Sequence, residues 1–155
     1  MVILTAPASV RSASAGGERL VSVIDAETRI RIARPTSDLA AAERFWTEGA
    51  GLEVLWRTGD DATGGHALVM LGVPGAGWHL EIVDDPESAA ASQPSEEDIL
   101  VIYLGEEPGP ELLARVEAAG GRRTQAKNPY WDQWGVTFVD PDGYLLNLCV
   151  RAWTA

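Results

Sequence analysis

The sequence predicts an α+β domain made of two βαβββ modules, and three observations carry this prediction. Segments with strand and helix patterns follow one another in the order β-α-β-β-β twice, over residues 29–83 and 98–151. Glycines and prolines separate the segments within each half, as is typical of turns. A polar stretch with two prolines, residues 84–97, lies between the halves and is predicted to be a linker.

The first module begins with an alternating, β-branched strand at residues 29–33, which Pro35 is expected to end. Ser37 or Asp38 is expected to cap the following helix. The apolar face of that helix contains Leu39, Ala42, Phe45 and Trp46, and Gly49 and Gly51 follow as the end of the helix. Strands are then predicted at residues 52–57, 66–73 and 78–83.

The second module repeats this order. A strand at residues 99–104 precedes a helix that opens at Pro108 and Pro110. Its apolar face contains Leu112, Leu113, Val116 and Ala119, and Gly120 and Gly121 end it. Three strands follow, at residues 122–125, 135–139 and 144–150, with the pair Asp142 and Gly143 indicating a tight turn between the last two.

The length of 155 residues is suited to one domain, predicted over residues 27–153 after a flexible N-terminal arm at 1–26. Within the arm, residues 20–24 are a candidate edge strand. The chain has no apolar run of the roughly 20 residues that a membrane helix needs. The aromatic residues Phe45, Trp46 and Trp56 are predicted to be in the core.

The formal charge of −11 argues against nucleic acid as a partner, because phosphate binding needs a basic face. The single cysteine, Cys149, lies in an apolar strand and is expected to be an inert core thiol. One cysteine cannot form a disulfide within the chain, which favours a cytoplasmic location.

Three runs of the sequence resemble the vicinal-oxygen-chelate superfamily, which contains glyoxalases, bleomycin resistance proteins and extradiol dioxygenases. RIARPTSDLAAAERFW (31–46) is similar to its opening strand and helix, and GVTFVDPDGYLLNL (135–148) to its closing hairpin. NPYW (128–131) resembles one uncharacterised bacterial subgroup. The resemblance covers residues 29–151 and implies the glyoxalase/bleomycin-resistance type of fold, in which paired βαβββ modules form a barrel-like cup. It implies no single activity, because the superfamily has many.

Members of this superfamily that catalyse reactions hold one divalent ion through His, Glu or Gln on the first and last strands of each module. By resemblance these positions fall on Arg31 and Glu81 in module one. In module two they fall on Asp98 or Ile99, and on Asn147. An arginine has no lone pair to donate, and an asparagine offers only a neutral carbonyl. The sequence therefore predicts that no metal cofactor is bound.

Arg31 and Glu81 are predicted to face each other in the cup, within about 4 Å. This pair either holds a ligand oxygen or only sets the strand register. His79 lies two residues before Glu81 and therefore faces the same way. A metal site would need a third ligand, which His66 supplies only if its register and face agree.

Residues 128–134 contain three aromatic side chains and are predicted to form a loop over the mouth of the cup. Tyr130 and Trp131 are predicted to stack on a flat ligand, and Trp134 to pack against protein. Trp78 is a candidate for the rim. The predicted ligand-binding residues are Arg31, His79, Glu81, Tyr130, Trp131 and Asn147.

The leading functional hypothesis is metal-free binding of a small, partly aromatic molecule. The main alternative is a metal-dependent lyase, isomerase or dioxygenase that uses His79 and Glu81. A metal-free enzyme with either residue as base and Arg31 as oxyanion partner is also open. A further open hypothesis is that the protein is an interaction subunit whose cup is filled by its own side chains. A homodimer is expected, and the paired modules belong either to one chain or to two.

Overall fold

The computed structural model describes residues 24–58 and 65–153, so most of the predicted arm, including most of its candidate edge strand, lies outside the described residues. Module one contains β1 (Ile30–Thr36), α1 (Leu39–Arg44), β2 (Glu53–Arg57), β3 (Leu68–Gly72) and β4 (Trp78–Asp84). Helix α2 (Pro86–Ala91) follows. Module two contains β5 (Ile99–Tyr103), α3 (Pro110–Ala118), β6 (Arg122–Thr124), α4 (Pro129–Gln133), β7 (Gly135–Val139) and β8 (Leu145–Cys149).

The two modules form two mixed sheets with the same topology. Sheet one has the order β1-β4-β3-β2, and sheet two has the order β5-β8-β7-β6. In each sheet the first and last strands of the module are parallel neighbours, and the other pairs are antiparallel. This α+β architecture is the predicted glyoxalase/bleomycin-resistance type of fold, although the sheets do not close into a barrel.

One hydrophobic core joins the modules. Asp38 caps α1, as predicted, by accepting a hydrogen bond from the backbone N–H of Ala41 at 2.9 Å. The helix continues into a π-helical segment, Phe45–Gly49, whose Phe45 and Trp46 are fully buried. They share a core with Leu80 and Ile82 of β4 and with several residues of module two: Val116, Phe138, Leu146 and Leu148. Each sheet thus turns one face toward this common core, and its other face points away from it.

Polar and aromatic contacts also cross between the modules at the end of β1. The Thr36 hydroxyl donates to a carboxylate oxygen of Asp142 at 2.9 Å. The Arg34 guanidinium lies 4.1 Å from the centre of the Tyr144 ring, within the range of a cation–π contact. These contacts connect β1 with the β7–β8 hairpin, so the two modules form one packed unit.

Four predictions of local structure need correction. Pro35 does not end β1, because β1 is an edge strand and tolerates a residue without an N–H. The predicted linker contains α2, which Asp85 caps and Pro86 begins. The predicted aromatic loop is the short helix α4, capped by Asn128. Trp56 is 51 % exposed rather than part of the core.

The position of Trp56 follows from an irregularity in β2. The register between β2 and β3 shifts between Val54 and Trp56, so Trp56 pairs with Met70. A sequence pattern cannot show such a bulge, which inserts a residue and changes the face of those that follow. The predicted turn at Gly143 is present, with a φ of 94°. Within the described residues, no helix is long and apolar enough to cross a membrane.

Candidate functional site

The parallel pairing of β1 with β4 brings three of the predicted site residues together. Arg31 is the register partner of His79, and Ala33 is the partner of Glu81. The Arg31 Nη1 atom lies 2.8 Å from Glu81 Oε2, in agreement with the predicted separation. Arg31 Nε donates to His79 Nε2 at 3.0 Å. We call these three residues the Arg31 cluster, and the face of sheet one that carries it the open face.

The hydrogen bond from Arg31 occupies one ring nitrogen of His79. The Nε2 atom accepts the Arg31 Nε–H through its lone pair. Arg31 also donates through Nη2 to the sulfur of Met70 at 3.6 Å. The side chain of Arg31 is 49 % exposed and that of Glu81 is 12 % exposed. The cluster therefore has a shielded carboxylate beside an accessible cation.

Apolar side chains lie beside the cluster on the open face. Met70 contacts Arg31, and its strand partner Trp56 lies on the same face. Leu55 lies beside Gly72, close to the position that a β-carbon on that glycine would take. Leu55 is 40 % exposed and Trp56 is 51 % exposed. The open face thus combines a hydrogen-bond donor with apolar surface.

Two other residues of module one lie elsewhere. The His66 ring donates through Nδ1 to the carbonyl oxygen of Asp84 at 2.8 Å, so it does not join the Arg31 cluster as a third ligand. Trp78 is partly buried and packs against the core rather than forming a rim. The alternation along β4 explains this, because Trp78 shares a face with the buried Leu80.

In module two the equivalent positions are apolar or buried. Ile99 pairs with Leu145 in the same register in which Arg31 pairs with His79. The position equivalent to Arg31 is therefore Ile99 and not Asp98. Asn147 is equivalent to Glu81 and is fully buried. Its Nδ2 donates to Thr137 Oγ1 at 2.8 Å and to the Trp131 carbonyl at 3.2 Å.

Helix α4 holds the predicted aromatic residues over this second site. The Tyr130 and Trp131 rings are 5.0 Å apart and nearly perpendicular. Arg151 donates to the Tyr130 hydroxyl at 2.8 Å and stacks over Trp134 at 5.2 Å. The carbonyl of Trp134 accepts a hydrogen bond from the backbone of residue 150, so α4 is tied to the strand that carries Asn147.

The predicted site residues therefore form two groups. Arg31, His79 and Glu81 lie on sheet one, whereas Tyr130, Trp131 and Asn147 lie on sheet two. Among the described residues, no hydrogen bond, ion pair or ring contact joins the two groups.

Sequence reasoning missed several partners of these groups. Met70 and Thr137 occupy equivalent positions, opposite Glu81 and Asn147. Counting back from the turn at Gly143 would have placed Thr137 beside Asn147, because hairpin register follows from the turn. Met70 and the contact between Arg151 and Tyr130 carried no comparable signal.

Two family models match this chain, and together they cover more than half of it. The YycE-like N-terminal domain matches residues 30–83, and the YycE-like C-terminal domain matches residues 97–149. The chain belongs to the YycE-like family. The uncharacterized protein YycE of Bacillus subtilis (strain 168) is 36 % identical over 121 residues, which are 75 % of this chain and 83 % of that protein.

Solved structures place the YycE-like fold in the vicinal-oxygen-chelate superfamily. The crystal structure of Bacillus subtilis YycE matches with a TM-score of 0.68 and 28 % identity, over 83 % of this chain and 93 % of that chain. The fosfomycin resistance protein FosX of Mesorhizobium loti has a TM-score of 0.59 and 12 % identity, over 83 % and 94 %. TnmS3, an antibiotic-binding protein of Streptomyces sp. CB03234, has a TM-score of 0.54 and 21 % identity, over 84 % and 98 %. The last two show the fold alone.

The residues of this YycE-like chain do not fit the divalent ion that the superfamily implies. Within the described residues, no group of three His, Cys, Asp or Glu side chains is arranged to hold a metal. The Glu81 carboxylate and the His79 Nε2 lone pair are both engaged by Arg31. A cation placed there would have to displace a guanidinium that itself cannot become a ligand.

Proposed function

We propose that this protein binds a small, partly aromatic organic molecule on the open face of sheet one, without a metal. The observation that carries the proposal is the Arg31 cluster, in which an accessible guanidinium lies beside exposed apolar side chains. A guanidinium is a strong donor to oxygen acceptors, and apolar surface beside it suits a flat ring. The fold neighbours include both an antibiotic-binding protein and a fosfomycin resistance protein, so the proposal rests on this cluster.

We further propose that a second copy of the chain completes the site. Each sheet turns one face toward the common core. The opposite face of sheet one carries the accessible Arg31 cluster, whereas that of sheet two lies beneath α4, which buries Asn147. Exposed aromatic residues occur on each side: Trp56 on sheet one and Tyr130 on sheet two. Exposed apolar surface of this kind is typical of an interface. In the proposed homodimer, α4 of one copy covers the Arg31 cluster of the other.

Helix α4 then supplies the stacking surface of the ligand site. Tyr130 is held by Arg151, and the backbone of Trp131 is held by Asn147. Asn147 would accordingly support the helix instead of touching the ligand. We propose no catalytic step, and a cytoplasmic location stays a prediction.

Replacing Trp131 by alanine is expected to weaken ligand binding about two- to tenfold, because ring stacking contributes roughly 0.5–1.5 kcal/mol beyond the buried area. Replacing Arg31 by alanine should weaken it further by removing the donor. The measurement is tryptophan fluorescence during a screen of aromatic acids, quinones and natural-product antibiotics. Arg57→Ala is the matched control, because Arg57 forms an exposed ion pair with Glu43 away from the cluster. Undiminished binding by the Trp131→Ala, Arg31→Ala double variant would place the site elsewhere.

Native mass spectrometry of the freshly purified protein is expected to show a dimer without a stoichiometric divalent ion. Trp56→Glu should give a monomer, because it places a carboxylate within the proposed apolar interface. Ala114→Glu adds the same charge on an exposed position of α3 and should leave the dimer intact. A monomeric wild type would contradict the shared site. A near-stoichiometric metal, with a melting temperature that falls in EDTA, would favour the metal-dependent enzyme.

A further inference from the structure

The hydrogen-bonding capacity of Arg31 is only partly used. A guanidinium has five N–H groups. Three of them have partners among the described residues, namely Glu81, His79 and the weakly accepting sulfur of Met70. The other two N–H groups, one on each terminal nitrogen, have no partner within the described part of the chain and can donate to a ligand. The site therefore donates hydrogen bonds and calls for an oxygen acceptor.

The charge of the cluster is balanced before any ligand arrives. Arg31 contributes one positive charge and Glu81 one negative charge, and the two groups form an ion pair at 2.8 Å. A ligand carboxylate would be a second anion on a single cation and would lie close to Glu81. The formal charge of the whole chain, −11, also disfavours an anion.

We propose that the ligand of the open face is a neutral carbonyl compound, such as a ketone, quinone or amide, and that Glu81 determines this preference by neutralising Arg31. This inference rests on the proposed function and narrows its ligand class. A neutral carbonyl oxygen accepts from the two remaining N–H groups without adding charge. Its ring lies on the apolar surface of Met70, Leu55 and Trp56.

The test compares two probes that share one ring system, 2-naphthamide and 2-naphthoate, of which only the second is an anion at neutral pH. Ligand-detected NMR titrations measure both affinities for the wild type and for Glu81→Gln. The glutamine keeps the shape and an acceptor for Arg31 but leaves the cluster with a net positive charge. We expect the wild type to prefer the amide, and Glu81→Gln to shift the affinity ratio about tenfold toward the carboxylate, as one uncompensated charge at short range would do.

Glu43→Gln is the matched control, because it changes the charge of the chain equally but affects the separate ion pair with Arg57. It should leave the ratio at the wild-type value. Should Glu81→Gln fail to fold, Arg31→Gln leaves the cluster with a net negative charge instead. This variant is expected to weaken naphthoate binding more than naphthamide binding. The comparison of the two probes on the wild type does not depend on any variant being folded. Raising the salt concentration should barely change the affinity of the wild type for naphthamide.

The outcomes separate this inference from the proposed function. A wild type that prefers naphthoate, or a ratio that is the same in Glu81→Gln and Glu43→Gln, overturns the role of Glu81 while leaving small-molecule binding in place. Failure of both probes to bind the wild type and both variants at millimolar concentration overturns the proposed function and this inference together.

Discussion

Replacing Asp140 by asparagine is expected to stabilise the protein at neutral pH and to change its stability little near pH 4. Asp140 is 3 % exposed, and burial raises the pKa of its carboxyl group from 3.8 to about 6. Hydrogen bonds from the backbone N–H groups of Tyr144 and Asp142, and the nearby charge of Arg34, oppose this rise without cancelling it. Compared with the unfolded chain, the folded protein therefore favours the protonated form of Asp140.

A carboxyl group whose pKa is higher in the folded state contributes stability below its unfolded pKa and loses that contribution as the pH rises through its folded pKa. For Asp140 the loss falls mainly between about pH 4 and pH 6. A difference of about two pKa units corresponds to at most about 3 kcal/mol. Asparagine keeps the side-chain oxygen that accepts from residues 142 and 144 and removes the charge.

Urea unfolding at several pH values between 4 and 8 measures this effect as the free energy of unfolding of the variant minus that of the wild type. The difference should rise toward about 3 kcal/mol at neutral pH. Asp85→Asn is a control in which the substitution should affect stability in the opposite direction, because hydrogen bonds from Ser88 lower the pKa of the exposed Asp85 carboxyl group. Its stabilising contribution is present above pH 3.8 and is lost as the pH falls. A difference for Asp140→Asn that does not change with pH would mean that Asp140 is not desolvated in solution.

Phe45→Ala is expected to destabilise the protein by about 3–5 kcal/mol, the usual cost of truncating a fully buried phenylalanine. Phe45 is 0 % exposed and packs edge-on against Trp46, with the ring centres 5.0 Å apart. It also reaches module two, since a β-carbon on Gly121 would lie 2.9 Å from the Phe45 ring. The cavity would therefore lie between the modules, where neither can collapse onto it without losing its own packing.

Chemical denaturation followed by tryptophan fluorescence and by circular dichroism tests this expectation. Both probes should report one transition at the same lowered midpoint, because one core joins the modules. Val73→Ala removes methyl groups from a side chain that is 51 % exposed and should change the stability by no more than about 0.5 kcal/mol. Two separate transitions for Phe45→Ala would mean that the modules unfold independently.

The ligand site proposed at the Arg31 cluster differs in kind from the metal centre that the superfamily implies. An ion pair between neighbouring strands occupies the donor atoms that would otherwise be ligands. Chemistry at such a site depends on hydrogen bonding and shape, with Arg31 as donor and exposed apolar side chains beside it. The proposed probes and variants test these two properties separately.

The local pattern of the sequence predicted the order β-α-β-β-β of each module, although not the helices α2 and α4, and the resemblance to the superfamily predicted the contact between Arg31 and Glu81. Alternation with period two places His79 and Glu81 on one face of a strand, and helical spacing places Ala42, Phe45 and Trp46 on one buried face. The repeated order β-α-β-β-β then predicts which strands become neighbours. These features depend on residues close in sequence or on a repeat, so they can be recognised without coordinates.

Only the tertiary structure decided which surfaces remain open. The bulge in β2 turned Trp56 outward, and packing under α4 buried Asn147, although its counterpart Glu81 remained beside the open face. The packing of both modules on one core separated the Arg31 cluster from Tyr130 and Trp131. Strand register, helix docking and the desolvation of Asp140 all depend on contacts between residues far apart in the chain. The free energy of such contacts is set by the assembled core, and no local pattern of residues encodes it.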